Sequence, residues 1–333
     1  MNMNEAEKLQ DSAAMLAERQ QQRFLNKSRQ LASKYLQKLE ALPGAPDGMQ
    51  HFTEILREVF VENRPIRCNE TELFVGTFCV MMPQELVYAA GARPIKLCSG
   101  NYVGFQLGDD VTPRDACPLV KSVIGNTISG ANGIYNACDM YVVPITCDCK
   151  KKMAGQLNEY KPTVPLYVPL NKTDDEGMDT YIREMKQIAS MISERTGVKI
   201  TRERLSNQIA VMAGVQKEIR RFVELKGHDG LLVRGSHAMA VLNTMAYDDI
   251  ARWGSYLKKL NDELEERKKE KNYLTKKKLP RILITGSPIT FPNLKIPLLI
   301  EEQGGIVAAD ETCLGDRGLT DPVSVCEDTL SGY

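Results

Sequence analysis

From residue 72 the chain alternates short apolar runs with segments of helical spacing, and this alternation restricts the fold more than any other feature. The runs 73–79 (LFVGTFC), 93–98 (RPIKLC), 140–147 (MYVVPITC) and 163–170 (TVPLYVPL) have the length and content of strands. Between them, residues 83–90, 118–129 and 150–159 read as helices, the second opened by Pro118 in its first turn. Strand–helix–strand order predicts a parallel sheet with helices on both faces. Residues 178–272 are predicted helical: Ile182, Met185, Ile188 and Ile192 share one face, Gly197 is a stop, and Thr201 is an N-cap for a helix running to about residue 225. A second α/β unit follows Pro280, with strand 281–286 (RILITG), helix 293–303, a Gly304-Gly305 stop and strand 306–313 (IVAADETC). Only 20 residues follow Cys313, too few for a doubly wound sheet, so this unit is expected to be truncated. Ahead of everything lies a helical arm, residues 5–62, with Leu31, Tyr35 and Leu39 at helical spacing and a break at 42–48 (LPGAPDG). The expected fold class is α/β, two Rossmann-like parallel-sheet domains with an N-terminal helical arm and a helical middle. Its boundaries are 1–65 for the arm, 66–175 for the first α/β domain, 176–279 for the helical connection and 280–333 for the start of the second.

The 333 residues carry 43 basic and 43 acidic side chains, so no global field draws the chain to nucleic acid or an anionic membrane. The longest basic run, Arg267 to Lys278, is mixed with Glu270 and preceded by Glu263, Glu265 and Glu266, and reads as a solvated helix. No run approaches the roughly 20 apolar residues that span a bilayer, and the N-terminus lacks an apolar signal core. A cytoplasmic location is therefore expected, with neither nucleic acid nor membrane as partner. In a reducing compartment nine cysteines, an odd number, are not a disulfide framework. Three histidines without HxxxH spacing leave little for zinc or Cys-His catalysis. Neither GxxxxGK[ST] nor GxGxxG is present, and Thr285-Gly286-Ser287 is only a weak phosphate-loop signal.

The cysteines are the informative residues. Cys79, Cys98, Cys147 and Cys313 stand at the C-terminal ends of predicted strands, and Cys117 precedes Pro118 at a helix start. In open parallel sheets ligands bind at the carboxyl ends of the strands, so thiols far apart in sequence converge there. Helix N-termini favour thiolates. Several thiolates drawn from two domains suit an iron–sulfur cluster lying between them. Each also has a plainer reading as a small apolar core residue, which is adopted for Cys68, Cys138 and Cys326 and left open for Cys98. Cys149 either shares the face of Cys147 or belongs to the next helix. Asp148 is expected to cap a helix beginning at Lys150, with Lys150 to Lys152 as surface charge or as compensation for an anionic group. CxxC pairs, the usual signature of structural zinc, are absent.

Segments 78–91 (FCVMMPQELVYAAG), 116–122 (ACPLVKS), 146–152 (TCDCKKK), 281–286 (RILITG) and 310–317 (DETCLGDR), in that order and with the stretch from 197 (GVKITRERL), resemble a known family. It is the iron–sulfur component of the 2-hydroxyacyl-CoA dehydratases, which includes benzoyl-CoA reductase subunits and double-cubane cluster proteins. The resemblance implies two Rossmann-like domains clasping a [4Fe-4S] cluster, with Cys79, Cys117 and Cys313 as ligands and one iron left open. Cys147 matches a position that supplies a further ligand in the branch carrying a double-cubane [8Fe-9S] cluster. Where this chain has Cys149 the family carries a small residue, and a Pro-Cys element expected near the C-terminus is missing. The implied partners are an ATP-dependent iron–sulfur activator that delivers low-potential electrons, and a second subunit forming a homodimer or a heterodimer with a related chain. The implied activity is a 2-hydroxyacyl-CoA dehydratase-like lyase acting on an acyl-CoA, or an ATP-dependent reductase of small molecules. A cluster-free scaffold and an α/β nucleotide-binding protein are the readings from other classes.

Overall fold

A computed structural model describes residues 3–319, except 172, 228–229 and 276–277, with side chains from residue 14 onward. Helix α1 (Met3–Glu40) leads through a short turn into α2 (Gln50–Leu56), which continues as a π turn over Arg57–Val61. The first sheet takes β1 (Leu73–Thr77), β2 (Ala92–Lys96), β3 (Met140–Ile145) and β4 (Thr163–Tyr167) in the parallel order β2-β1-β3-β4. Its crossovers carry α3 (Gln84–Ala89), α4 (Tyr102–Asp109), α5 (Pro118–Ile128), α6 (Gly133–Ala137) and α7 (Asp148–Asn158). β2 is buried throughout, and β1 and β3 nearly so, which is why they read as continuous apolar runs; β4, at the edge, is largely open.

Successive side chains of β1 serve two cores, as the pleat requires: Phe74 packs toward α5 and α7, and Val75 toward α3. Helix α8 (Asp175–Thr196) covers the Val75 face with Met185, Ile188 and Ile192, joined by Leu205 and Ile209 of α9 (Arg202–Lys226). The predicted stop and start are both observed. Gly197 closes α8 at φ 71°, a left-handed conformation that glycine adopts at little cost, and the Thr201 hydroxyl accepts from the Arg204 N–H. The rest of α9 joins α10 (Gly235–Thr244) and α11 (Ile250–Lys269) in the core on the opposite face, around Phe222, Trp253 and Leu257.

The second sheet is the parallel pair β5 (Arg281–Thr285) and β6 (Ile306–Glu311), linked by α12 (Lys295–Glu302). Leu283 of β5 is 58% exposed, because among the described residues only β6 pairs with this strand. The two lobes meet through backbone: a Cβ on Gly100, just past β2, would lie 2.0 Å from the Thr290 carbonyl oxygen, which only glycine permits. Helix α1 lies across both. Its Ala32, Leu36 and Leu39 pack with Phe291, Leu294 and Leu298; Ser28 accepts a hydrogen bond from Asn101 at 3.0 Å, and Lys38 pairs with Glu302 at 3.1 Å. Among the described residues no helix is long and apolar enough to cross a membrane.

Candidate functional site

The strand order reverses at β1, whose neighbours are β2 and β3, and the C-terminal ends around such a reversal open a crevice. Each strand ends earlier than its apolar run suggests, so the cysteines sit on the loops just beyond. β1 stops at Thr77, and Cys79 follows at φ 60°, a left-handed conformation uncommon for a residue with a side chain. β2 stops at Lys96, two residues before Cys98, and β6 at Glu311, two before Cys313. Cys79, Cys98 and Cys313 lie within electrostatic reach of one another: the Cys98 thiol is influenced by both of the others, and all three act on the Lys96 amine. Cys79 and Cys313 are 234 positions apart in sequence.

Two lysines frame these thiols. Lys96 is 6% exposed, and the loss of hydration pushes its amine below the ordinary lysine range, an effect opposed by Cys98, Cys313, Cys79 and Glu85. Lys150, in the first turn of α7, donates a hydrogen bond to the Cys79 sulfur. Cys98 is partly open to solvent but enclosed by protein, which raises its pKa; the Cys79 charge adds to that, while the Cys79 backbone N–H and Lys150 act against it. Behind Cys98 lies a void of about 30 Å³ lined by Lys96, Asn101, Tyr135 and Tyr247, room for one ordered water.

Cys117 and Cys147 occupy a different kind of position, the N-caps of α5 and α7, and neither side chain makes a capping hydrogen bond. Both helices present N–H groups that favour an anion. Cys147 is exposed, and Cys117 partly packs against the large core. A cleft of about 310 Å³ separates the loop before α5 from α7, with Ala116, Cys149 and Lys152 in its walls. Cys149 thus belongs to the helix and does not share an extended face with Cys147. The expectation that Asp148 caps a helix starting at Lys150 is wrong: α7 begins at Asp148, and the Cys147 carbonyl accepts the N–H groups of Lys150 and Lys151 at 3.1 Å. Asp148, in the first turn, still favours the positive helix end.

Cys138 is the buried core thiol that was expected, donating to the Ile134 carbonyl at 3.3 Å and pushed by burial up to about 12. Cys68 is not: it is exposed, with the Arg93 guanidinium 3.9 Å from its sulfur, because the segment before β1 runs over the surface. Cys326 lies outside the described residues. Lys96 escaped the sequence reading, which placed Cys98 at a strand end but left its role open. The available signal was a lysine two positions before a cysteine inside an otherwise apolar strand.

Among the described residues no group of three or more His, Cys, Asp or Glu side chains closes tightly enough for a single metal ion. The groups acting on Lys96 are three thiols from three strand ends and the Glu85 carboxylate, a sulfur-rich set that suits a body larger than one ion.

The molecule is thus a two-lobed α/β protein with Rossmann-like parallel sheets and a thiol-lined crevice where the lobes meet. The chain belongs to the 2-hydroxyglutaryl-CoA dehydratase D-component family, whose sequence pattern matches residues 79–332, beginning at the first crevice cysteine. It is 31% identical over 245 residues to YjiM of Escherichia coli (strain K12), itself only a presumed dehydratase subunit; the match covers 73% of this chain and 63% of that protein. It is 22% identical over 151 residues to the lactoyl-CoA dehydratase subunit beta of Anaerotignum propionicum, over 45% of this chain and 40% of that subunit. The chain therefore spans less than two thirds of the length of either relative.

Proposed function

We propose that this chain is the iron–sulfur component of a 2-hydroxyacyl-CoA dehydratase-family system, receiving low-potential electrons from an ATP-dependent activator. The observation that supports the reading is that Cys79 and Cys313, from opposite lobes, both act on the one buried Lys96 amine. Cys79, Cys117 and Cys313 would hold the cluster, with Cys147 as a further ligand in a double-cubane form. A bound cluster would supply one-electron transfer and Lewis-acid polarisation of an acyl-CoA carbonyl. The protein's own part is electrostatic. Lys150 donates to the Cys79 sulfur, Lys96 is a buried amine on which three thiols act, and Cys117 and Cys147 stand at the N-caps of α5 and α7. The proposal extends to a cytoplasmic location and to pairing with a like or related subunit.

A double-cubane reductase of small molecules is favoured by the thiols in excess of a three-cysteine set, Cys98 among them. Anaerobic iron and sulfide analysis with EPR separates the readings: about four irons per chain indicates a single cubane and about eight the double form. Protein without iron or the broad visible absorption of iron–sulfur charge transfer would point to a cluster-free scaffold. Cys117→Ser should lower iron content and Cys138→Ser should leave it unchanged. Equal iron in the two variants sinks the ligand assignment.

A further inference from the structure

We infer that Cys79 and Cys98 form a dithiol site that closes reversibly to an intramolecular disulfide on reaction with a small-molecule disulfide such as oxidised glutathione. The argument begins with strand register. β1 and β2 pair in parallel up to Thr77 and Lys96, and the ladder continues past both strands with the Leu97 N–H donating to the Thr77 carbonyl at 2.9 Å. Two residues beyond that last pair stand Cys79 and Cys98. Neighbouring strands lie about 4.8 Å apart, inside the Cα separation of roughly 4.4–6.8 Å that a disulfide spans. Cys98 also stands within electrostatic reach of Cys79, whose charge and backbone N–H both act on its thiol. Neither thiol is sealed off, since both are partly exposed. Cys313 shares the crevice but comes from the other lobe, without a ladder to align it.

The chemistry balances with the one co-reactant named. A Cys79 thiolate attacks one sulfur of the small disulfide and expels a thiolate, leaving a mixed disulfide. The Cys98 sulfur then attacks the Cys79 sulfur, breaks the mixed bond and expels the second thiolate, which takes up the Cys98 proton. Two cysteine thiols are oxidised and one disulfide is reduced to two thiols. Resting on the iron–sulfur reading, the consequence is that the closed pair removes Cys79 from the ligand set, so loading requires prior reduction.

The test uses the full chain in its iron-free form, equilibrated with oxidised glutathione, freed of excess reagent, alkylated with iodoacetamide and mapped by mass spectrometry without reduction. The expected result is a single cross-link between the Cys79 and Cys98 peptides, a fall from nine alkylatable thiols to seven, and full reversal by dithiothreitol. Cys79→Ser and Cys98→Ser, each verified as folded by circular dichroism, should abolish the cross-link. Alkylation of both cysteines in the treated wild type, a stable glutathione adduct on Cys79, or a link from Cys79 to Cys313 would each overturn the inference. In a second arm the oxidised chain should take up about tenfold less iron and sulfide than the reduced chain. Failure of the reduced chain to bind iron counts against the iron–sulfur reading alone; equal uptake by cross-linked and reduced chain refutes the loading consequence.

Discussion

Replacing Gly125 with alanine should force α5 away from α4 and displace the cysteine at the start of α5. The two helices touch backbone to backbone. A Cβ on Gly125 would lie 1.8 Å from the Gly104 carbonyl oxygen and 2.8 Å from the Gly108 nitrogen. Neither atom can rotate away as a side chain could. Reaching an ordinary contact of 3.4 Å requires a separation of about 1.6 Å along a helix buried from Val120 to Thr127. Overpacking that moves backbone costs on the order of 3 kcal/mol, or about 4 °C in midpoint for a chain of this size. Thermal melts of wild type, Gly125→Ala and Gly155→Ala make the comparison. Gly155 is exposed on α7, and a methyl carbon added there would meet no atom within 4 Å, so alanine should be neutral or stabilise by up to about 1 kcal/mol. Because Cys117 is the N-cap of α5, Gly125→Ala should also bind less iron. A Gly125→Ala midpoint within about 1 °C of wild type would refute the packing argument.

Three further outcomes follow from buried polar groups. Lys226, 3% exposed at its side chain, pairs with Asp316 at 2.6 Å, and Asp316 also accepts from the Asp310 N–H at 3.0 Å beside the Cys313 turn. Lys226→Met should cost about 3 kcal/mol in urea unfolding, with part of it recovered in the Lys226→Met/Asp316→Leu double variant; no recovery would contradict the unpaired-charge explanation. His237 is buried against the Leu39 carbonyl at 3.0 Å, and burial lowers its pKa to about 4. The folded state thus disfavours the protonated ring, so this contribution is complete above the unfolded value of about 6.5 and lost as pH falls from there to about 4. It amounts to about 3 kcal/mol, measurable as a falling urea midpoint that flattens in His237→Gln. Cys138→Ser should cost about 1 kcal/mol, because the hydroxyl keeps the Ile134 acceptor but loses apolar burial.

The sequence made the strand alternation legible because β1, β2 and β3 are buried on both faces and so carry unbroken apolar runs. Where α8 ends and α9 begins was legible for a local reason, the glycine and threonine that each terminus needs. The site was half visible. That Cys79 and Cys313 lie at strand ends is a local property, but their meeting depends on how the lobes dock, and that rests on contacts such as Gly100 with Thr290. The register that pairs Thr77 with Lys96, two residues short of Cys79 and Cys98, is a pairing property, unreadable from either strand alone. Cys68 was misplaced because an isolated cysteine carries no exposure signal, and Asp148 because a cysteine is a rare N-cap whose backbone alone does the work.

Helix α1 acts as a ruler across the crevice. It grips the first lobe at Ser28 and the second at Lys38, ten residues later, so about 15 Å of rigid rod separates the two attachments. The spacing of the jaws is thereby templated by a segment that contributes no thiol. Inserting one residue between those grips would advance the second by about 1.5 Å and swing it by roughly 100° around the rod, leaving Cys79, Cys98 and Cys313 in place on their own loops while the jaws fall out of alignment.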